Sequence, residues 1–184
     1  MSFPDWLKAE LVPILAPLRN LPNQRHPMAL LQCAAQFQVN AAPRYQPRDL
    51  TGDGRLETFC NFFLTDVTTA LGCKVPQMRA NYQMRWLTGE EGRANGWCVV
   101  TRELAAVLAC VGRPVVAGWR NPDDNAPGHV ALLMPPVSPY PTAENCLQLV
   151  NGALFSAQAG RRNWSHGLLE SGFGQVPITF VAHA

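Results

Sequence analysis

An α+β fold, with N-terminal helices packed on a C-terminal antiparallel sheet, is what this 184-residue sequence predicts. Three observations lead there. Apolar residues recur at helical spacing through the first part of the chain, whereas the later part turns to short strand-length runs. Hydrophobic residues make up 47% of the chain, enough to bury one good core at this length, and charged residues only 15%. No internal repeat or low-complexity linker divides it, so residues 1–184 are expected to form a single domain, with 1–40 as a helical N-terminal part.

The elements follow in order. Residues 4–19 read as a helix interrupted by Pro13 and Pro17, with Trp6, Leu7, Leu11, Ile14 and Leu15 toward the core. Residues 27–38 read as a second, with Pro27 at its first position and Met28, Leu31, Ala34, Ala35 and Phe37 on its apolar face. Residues 39–58 are loop. The strongest helix covers 59–71, where Phe59, Phe62, Phe63, Val67, Ala70 and Leu71 share helical spacing and Gly72 is a natural stop. A short helix over 80–88 carries Met84, Trp86 and Leu87, and another starts after Thr101 as N-cap and runs to Val111. Strands are expected at 114–119, 129–134, 147–150, 153–158 and 177–182.

Composition narrows the function classes. A net charge of +2 is too small for nucleic acid to be the main partner, but suits mild attraction to an anionic polymer such as a cell wall. No stretch approaches the ~20 apolar residues of a membrane span, and Met1-Ser2-Phe3-Pro4-Asp5-Trp6 lacks a secretory leader. The expectation is synthesis in the cytoplasm, with export only by a dedicated machine. The six cysteines form no C-x-x-C pair, which excludes zinc-ribbon and thioredoxin spacing. Cys33, Cys73, Cys98, Cys110 and Cys146 have apolar neighbours and read as buried thiols.

Cys60 is different. It stands at the start of the 59–71 helix, where unpaired backbone N–H groups and the helix dipole favour a thiolate. The turn Asn121-Pro122-Asp123-Asp124-Asn125-Ala126-Pro127-Gly128 then delivers His129 at the start of a strand. An imidazole there can hold the thiolate as an ion pair and protonate a leaving amine. Alone, Cys60 would read as a buried helix cysteine and His129 as a strand-end residue; together they read as a nucleophile and its base.

Thr58-Phe59-Cys60-Asn61 with Asp66-Val67 downstream resembles the nucleophile helix of NlpC/P60- and CHAP-like amidases, which are papain-like cysteine hydrolases. Gly118-Trp119-Arg120-Asn121 through Gly128-His129-Val130-Ala131 resembles their histidine strand. Ser156-Ala157-Gln158-Ala159-Gly160, Asn163, and Gly167-Leu168 through Gly172-Phe173-Gly174 are similar to bacterial and phage cell-wall amidase domains. The resemblance covers roughly residues 37–182. It implies a papain-like fold with residues 41–184 as hydrolase core, and cleavage of amide bonds in peptidoglycan stem peptides without a required cofactor. Cys60 would be the nucleophile and His129 the general base and acid. Gln158 would be the residue that orients the imidazole, with Asn151 and Asp124 as alternatives. The oxyanion donors would be the Cys60 backbone N–H and Tyr45, in a segment resembling the upstream tyrosine segment of related hydrolases. Asn61 and Asn163 are the further substrate-side candidates.

Other signals carry two readings. In Asp49-Leu50-Thr51-Gly52-Asp53-Gly54-Arg55-Leu56-Glu57, oxygen side chains at Asp49, Thr51, Asp53 and Glu57 match the first half of a calcium loop. The position that needs a bidentate carboxylate is Cys60, so an Asp/Gly turn before a helix explains the same residues. Asp66, nearly two turns past Cys60, reads as a structural hydrogen-bonder. His166 reads as surface or substrate-facing. The tryptophans read as core, with Trp164 the one that would contact glycan. With no leader, an antibacterial effector injected by a type VI secretion apparatus, or a phage-type lysin, are the expected roles; the first implies a cognate immunity protein. A papain-like deamidase or acyltransferase, or a non-enzymatic module of a phage tail or secretion apparatus, are the alternatives.

Overall fold

The computed structural model describes residues 18–136 and 152–184. Among them six helices run as α1 (Pro27–Ala35), α2 (Cys60–Ala70), α3 (Ala80–Thr88), α4 (Glu90–Ala94), α5 (Arg102–Cys110) and α6 (Leu169–Phe173). Six strands run as β1 (Trp97–Val100), β2 (Val115–Trp119), β3 (His129–Met134), β4 (Phe155–Gln158), β5 (Trp164–Leu168) and β6 (Thr179–His183). The fold is α+β, built on one antiparallel sheet in the order β1-β6-β2-β3-β4-β5. The helix expected over 4–19 lies outside the described residues except for Leu18 and Arg19, and the strand expected over 147–150 lies wholly outside them.

Side-chain alternation splits the core in two. Val130, Leu132 and Met134 of β3 join one apolar cluster with residues of α1, α2 and α3. Ala131 and Leu133, their neighbours on the same strand, join a second with α5 and α6. The sheet is therefore covered on both faces, which explains why β3 is apolar at successive positions. This corrects the expectation of helices gathered on the sheet in N-to-C order: α5 packs on the opposite face, and β1 precedes it in the chain. No strand is expected at 164–168 from sequence, yet the segment forms edge strand β5, where Trp164 and His166 lean on neighbours.

Local chemistry fixes the helix that matters most. Phe63, Leu64, Val67 and Ala70 bury the inner face of α2, each large apolar chain contributing ~1.5–3 kcal/mol. The helix stops at Gly72, whose φ of +69° places it in the left-handed region. Cys73 N–H then donates to the Thr68 carbonyl at 3.0 Å and Gly72 N–H to the Thr69 carbonyl at 3.1 Å, the Schellman pattern. The start of α2 has no such provision: Phe59 at the N-cap offers no side-chain acceptor. The first amides of α2 thus lack an internal cap where Cys60 begins.

Candidate active site

Packing α2 against β3 and β4 brings the first residue of α2, the first of β3 and the last of β4 together. Cys60 and His129 lie close enough that each shifts the ionisation of the other. On the far side of the ring, His129 Nε2 lies 2.7 Å from Gln158 Oε1. Gln158 in turn donates from Nε2 to the Arg162 carbonyl at 3.1 Å. That second bond fixes the amide: its NH₂ must face the carbonyl, so Oε1 faces the ring and accepts from His129 Nε2–H. Nδ1 is left for the thiol. A register shift in the β4–β5 ladder lies between Ser156 and Gln158, where irregular pairing aims Gln158 at the ring.

The electrostatics of the pair agree from both sides. Burial pushes the Cys60 thiol up, but the hydrogen bond and charge of His129, with the backbone amides of Val130 and Asn61, more than offset it. The Cys60 pKa is therefore lowered from the ordinary thiol value. Burial pulls the His129 imidazolium down, and the bonds to Cys60 and Gln158 outweigh it, leaving its pKa raised. Both shifts favour thiolate beside imidazolium. Such a pair combines a nucleophile with a proton donor at one point. The Phe173 ring, tilted against His129 with centroids 4.7 Å apart, covers the imidazole.

Three glycines let the backbone close around this site. A Cβ at Gly172 would sit 2.1 Å from Gln158 Oε1, and one at Gly160 would approach His129 Cε1 to 3.4 Å. A Cβ at Gly128 would meet Asn81 Oδ1 at 2.2 Å. Asn81 is the latch of the histidine loop: it donates to the Ala126 carbonyl at 3.0 Å and accepts from Asn121 N–H at 2.9 Å. Asn81, Phe173 and the Arg162 carbonyl were not singled out from sequence. Asn81 carries no local signal, because its partners lie some forty residues away. Gly172-Phe173-Gly174 stood in the resembling segment, but nothing there pointed to a role.

The remaining expected site residues are placed elsewhere. Tyr45 is fully buried and its hydroxyl donates to Asp66 Oδ2 at 2.7 Å, so it is not presented to an oxyanion. Asp66 also takes a two-pronged bond from Arg44, at 2.6 and 3.1 Å, in a buried ion pair. The upstream tyrosine is thus committed to holding its own loop on α2. Asn61 spends its side-chain amide on the Met78 carbonyl at 2.9 Å, leaving its backbone N–H for the Cys60 sulfur. Asn163 donates to the carbonyls of Val39 (3.0 Å) and Tyr45 (2.9 Å) and accepts from Gly160 N–H at 2.9 Å. It clamps the turn over His129 and has no amide N–H donor left for substrate.

Asp124 is exposed and paired with Arg85 and Arg120, so it does not orient the imidazole. Asn151 lies outside the described residues, as does Cys146. His166 stacks on Phe155 with centroids 4.6 Å apart, its Nε2 2.9 Å from the Pro135 carbonyl. Trp164 donates to Ser156 Oγ at 3.2 Å. Cys98, read as buried, is exposed on β1.

In the Asp/Gly loop the carboxylates are turned onto the loop's own backbone. Asp49 accepts from the amides of Thr51, Gly52 and Gly54, Asp53 from Arg55, and Glu57 from Leu50. Among the described residues no three His, Cys, Asp or Glu side chains are grouped as a metal site. The turn reading accounts for the arrangement of Asp49, Thr51, Asp53 and Glu57 without a calcium ion. Among the same residues no helix is long and apolar enough to cross a membrane. No family model and no curated protein matches the chain.

Proposed function

We propose that this chain is a papain-like cysteine hydrolase of the NlpC/P60 or CHAP type that cleaves amide bonds in peptidoglycan stem peptides. The observation that carries the proposal is His129 held between the Cys60 thiol and the Gln158 amide, with the two pKa values displaced toward an ion pair. Cys60 thiolate attacks the carbonyl carbon. The tetrahedral oxyanion is met by the Cys60 backbone N–H at the uncapped start of α2. The C–N bond breaks as the His129 imidazolium gives its proton to the leaving amine, and a thioester remains. Water then loses a proton to neutral His129 as it attacks, releasing the acid and restoring the pair. Gln158 fixes the ring so that Nδ1 faces sulfur throughout, and adds no charge.

The cell-wall substrate comes from the resemblance of the cysteine and histidine segments. Delivery to a target periplasm as a secreted antibacterial effector, or use as a phage-type lysin, fits that substrate. For the effector, an immunity protein that plugs the Cys60 cleft belongs to the same proposal. Calcium is not needed by any step.

Purified Gram-negative sacculi digested by wild type and by Cys60→Ala test the reading, with muropeptides resolved by liquid chromatography and mass spectrometry. New products made by the wild type alone, with masses that identify one amide bond, are the expected result. Identical profiles, with reductant and calcium each tried, would remove peptidoglycan. Labelling of Cys60 by a thiol-directed probe would then leave a deamidase or acyltransferase, and an inert Cys60 a structural module.

A further inference from the structure

An open groove of about 450 Å³ lies beside this site and takes no part in the chemistry above. Its walls come from α3, the start of α4 and the segment before α3. Met78, Tyr82 and Trp86 supply an apolar and aromatic lining, and Arg85, Glu90 and Glu91 stand at its polar edge. Tyr82 is 42% exposed and lines the groove. Arg85 is already committed: it pairs with Asp124 at 2.7 Å and lies over the Tyr82 ring at 5.2 Å. It holds the ring in place from one side. Glu90 and Glu91 are exposed and enter no ion pair among the described residues. A Cβ at Gly89 would meet the Arg85 carbonyl at 2.9 Å, so glycine suits the tight bend between α3 and α4 at the groove's floor.

Two side chains tie the walls of the groove to the candidate active site. Asn61, the residue after Cys60, donates to the Met78 carbonyl at 2.9 Å. Asn81, one residue before Tyr82, latches the loop that delivers His129. A molecule lying along Met78, Tyr82 and Trp86 therefore touches the segment whose Met78 carbonyl is bonded to the first turn of the nucleophile helix.

The chemistry of the walls selects among occupants. Two carboxylates without an ion pair among the described residues disfavour an acidic peptide, whose own carboxylates would be repelled at short range. A purely apolar segment would make no use of either exposed glutamate. A sugar ring answers both demands: its C–H face lies on an aromatic ring, and its rim of hydroxyl and amide N–H donors meets carboxylate acceptors. N-acetylhexosamines are neutral, so nothing opposes the glutamates. Resting on the peptidoglycan reading of the Cys60 site, we infer that the groove of Met78, Tyr82, Trp86, Glu90 and Glu91 is a glycan subsite. It seats an N-acetylhexosamine of the wall strand while the attached peptide enters the Cys60 cleft.

Two measurements test the inference separately from the amidase reading. The first titrates Cys60→Ala protein with a β-1,4-linked N-acetylglucosamine trimer and follows tryptophan fluorescence and amide NMR shifts. Saturable binding with shifts on α3 and α4 is expected, lost in Tyr82→Ala and weakened in Glu90→Gln/Glu91→Gln, both at exposed positions. The second compares KM for a disaccharide-linked stem peptide with KM for the same peptide without sugar. Tyr82→Ala is expected to raise the first by about tenfold, the loss of one aromatic contact, and to leave the second and both kcat values unchanged. Cleavage of both peptides with equal KM, and no trimer binding at millimolar concentration, overturns the subsite and leaves the amidase standing. Binding of the trimer to the groove without cleavage of either peptide upholds the subsite and sinks the amidase.

Discussion

Gly172→Ala is a one-carbon test of how His129 is held. Gly172 lies in α6, where alanine is the better helix former by about 1 kcal/mol, so local propensity alone would favour the substitution. Geometry opposes it. The new methyl carbon would stand 2.1 Å from Gln158 Oε1 and 2.9 Å from its Cδ. Gln158 is 2% exposed and cannot swing into water, so the amide must leave its place. It then loses its 2.7 Å bond to His129 and its 3.1 Å bond to the Arg162 carbonyl. A hydrogen bond to a charged partner contributes ~1.5–3 kcal/mol. With 1.36 kcal/mol per factor of ten, the rate should fall roughly 10- to 150-fold. The assay is kcat/KM on a muropeptide, the proposed substrate, together with the alkylation rate of Cys60 by iodoacetamide, read at that residue by mass spectrometry. Gln158→Ala supplies the second arm of a double-mutant cycle. With the amide gone, adding Gly172→Ala should cost almost nothing more. A wild-type rate in Gly172→Ala, or an undiminished loss on the Gln158→Ala background, would refute this account of the histidine's support.

Tyr45→Phe should keep full activity, because the hydroxyl serves Asp66, while the melting transition records a loss of about 1.5–3 kcal/mol for a bond to a charged partner. An activity loss larger than the stability loss explains would return Tyr45 to the oxyanion role. The Cys60 thiolate should react with iodoacetamide well below the pH at which ordinary thiols do, since its pKa is lowered and that of His129 raised. Turnover should fall on the acid side as Cys60 gains a proton and on the alkaline side as His129 loses one. In His129→Ala burial acts without its main opponent, and the alkylation profile should move to higher pH. Asp49→Asn should destabilise the loop before α2 by weakening three backbone-amide bonds, with the same melting shift in calcium and in chelator; a calcium-dependent shift would revive the metal reading.

Much of the fold was legible because local order writes itself into period and punctuation. The 3.6-residue spacing of Phe59, Phe63, Val67 and Ala70, and the glycine after them, marked α2 to within a residue at either end. Strands β2 and β3 were legible as apolar runs bounded by turn residues. Strands β1 and β5 were not. Trp97–Val100 is short and half exposed, and Trp164–Leu168 alternates weakly at an edge, so neither shows a buried period. Which face of the sheet α5 covers was equally out of reach, since an amphipathic pattern states that a face is buried and not against what.

The sequence by itself determined where the two candidate reactive residues stand. Cys60 at a helix start and His129 at a strand start are local placements, decided by helical apolar spacing and turn propensities. Gln158 was legible only through resemblance and strand order, and its companions not at all. Only the tertiary structure decided that the amide is pinned by the Arg162 carbonyl, that Gly172 leaves room for it, and that Asn81 holds the histidine loop. It also turned Tyr45 and Asn163 away from the cleft, because buried polar atoms must find partners and theirs lay in other segments. Those pairings join residues distant in sequence, and no period or spacing along the chain records where two distant segments meet.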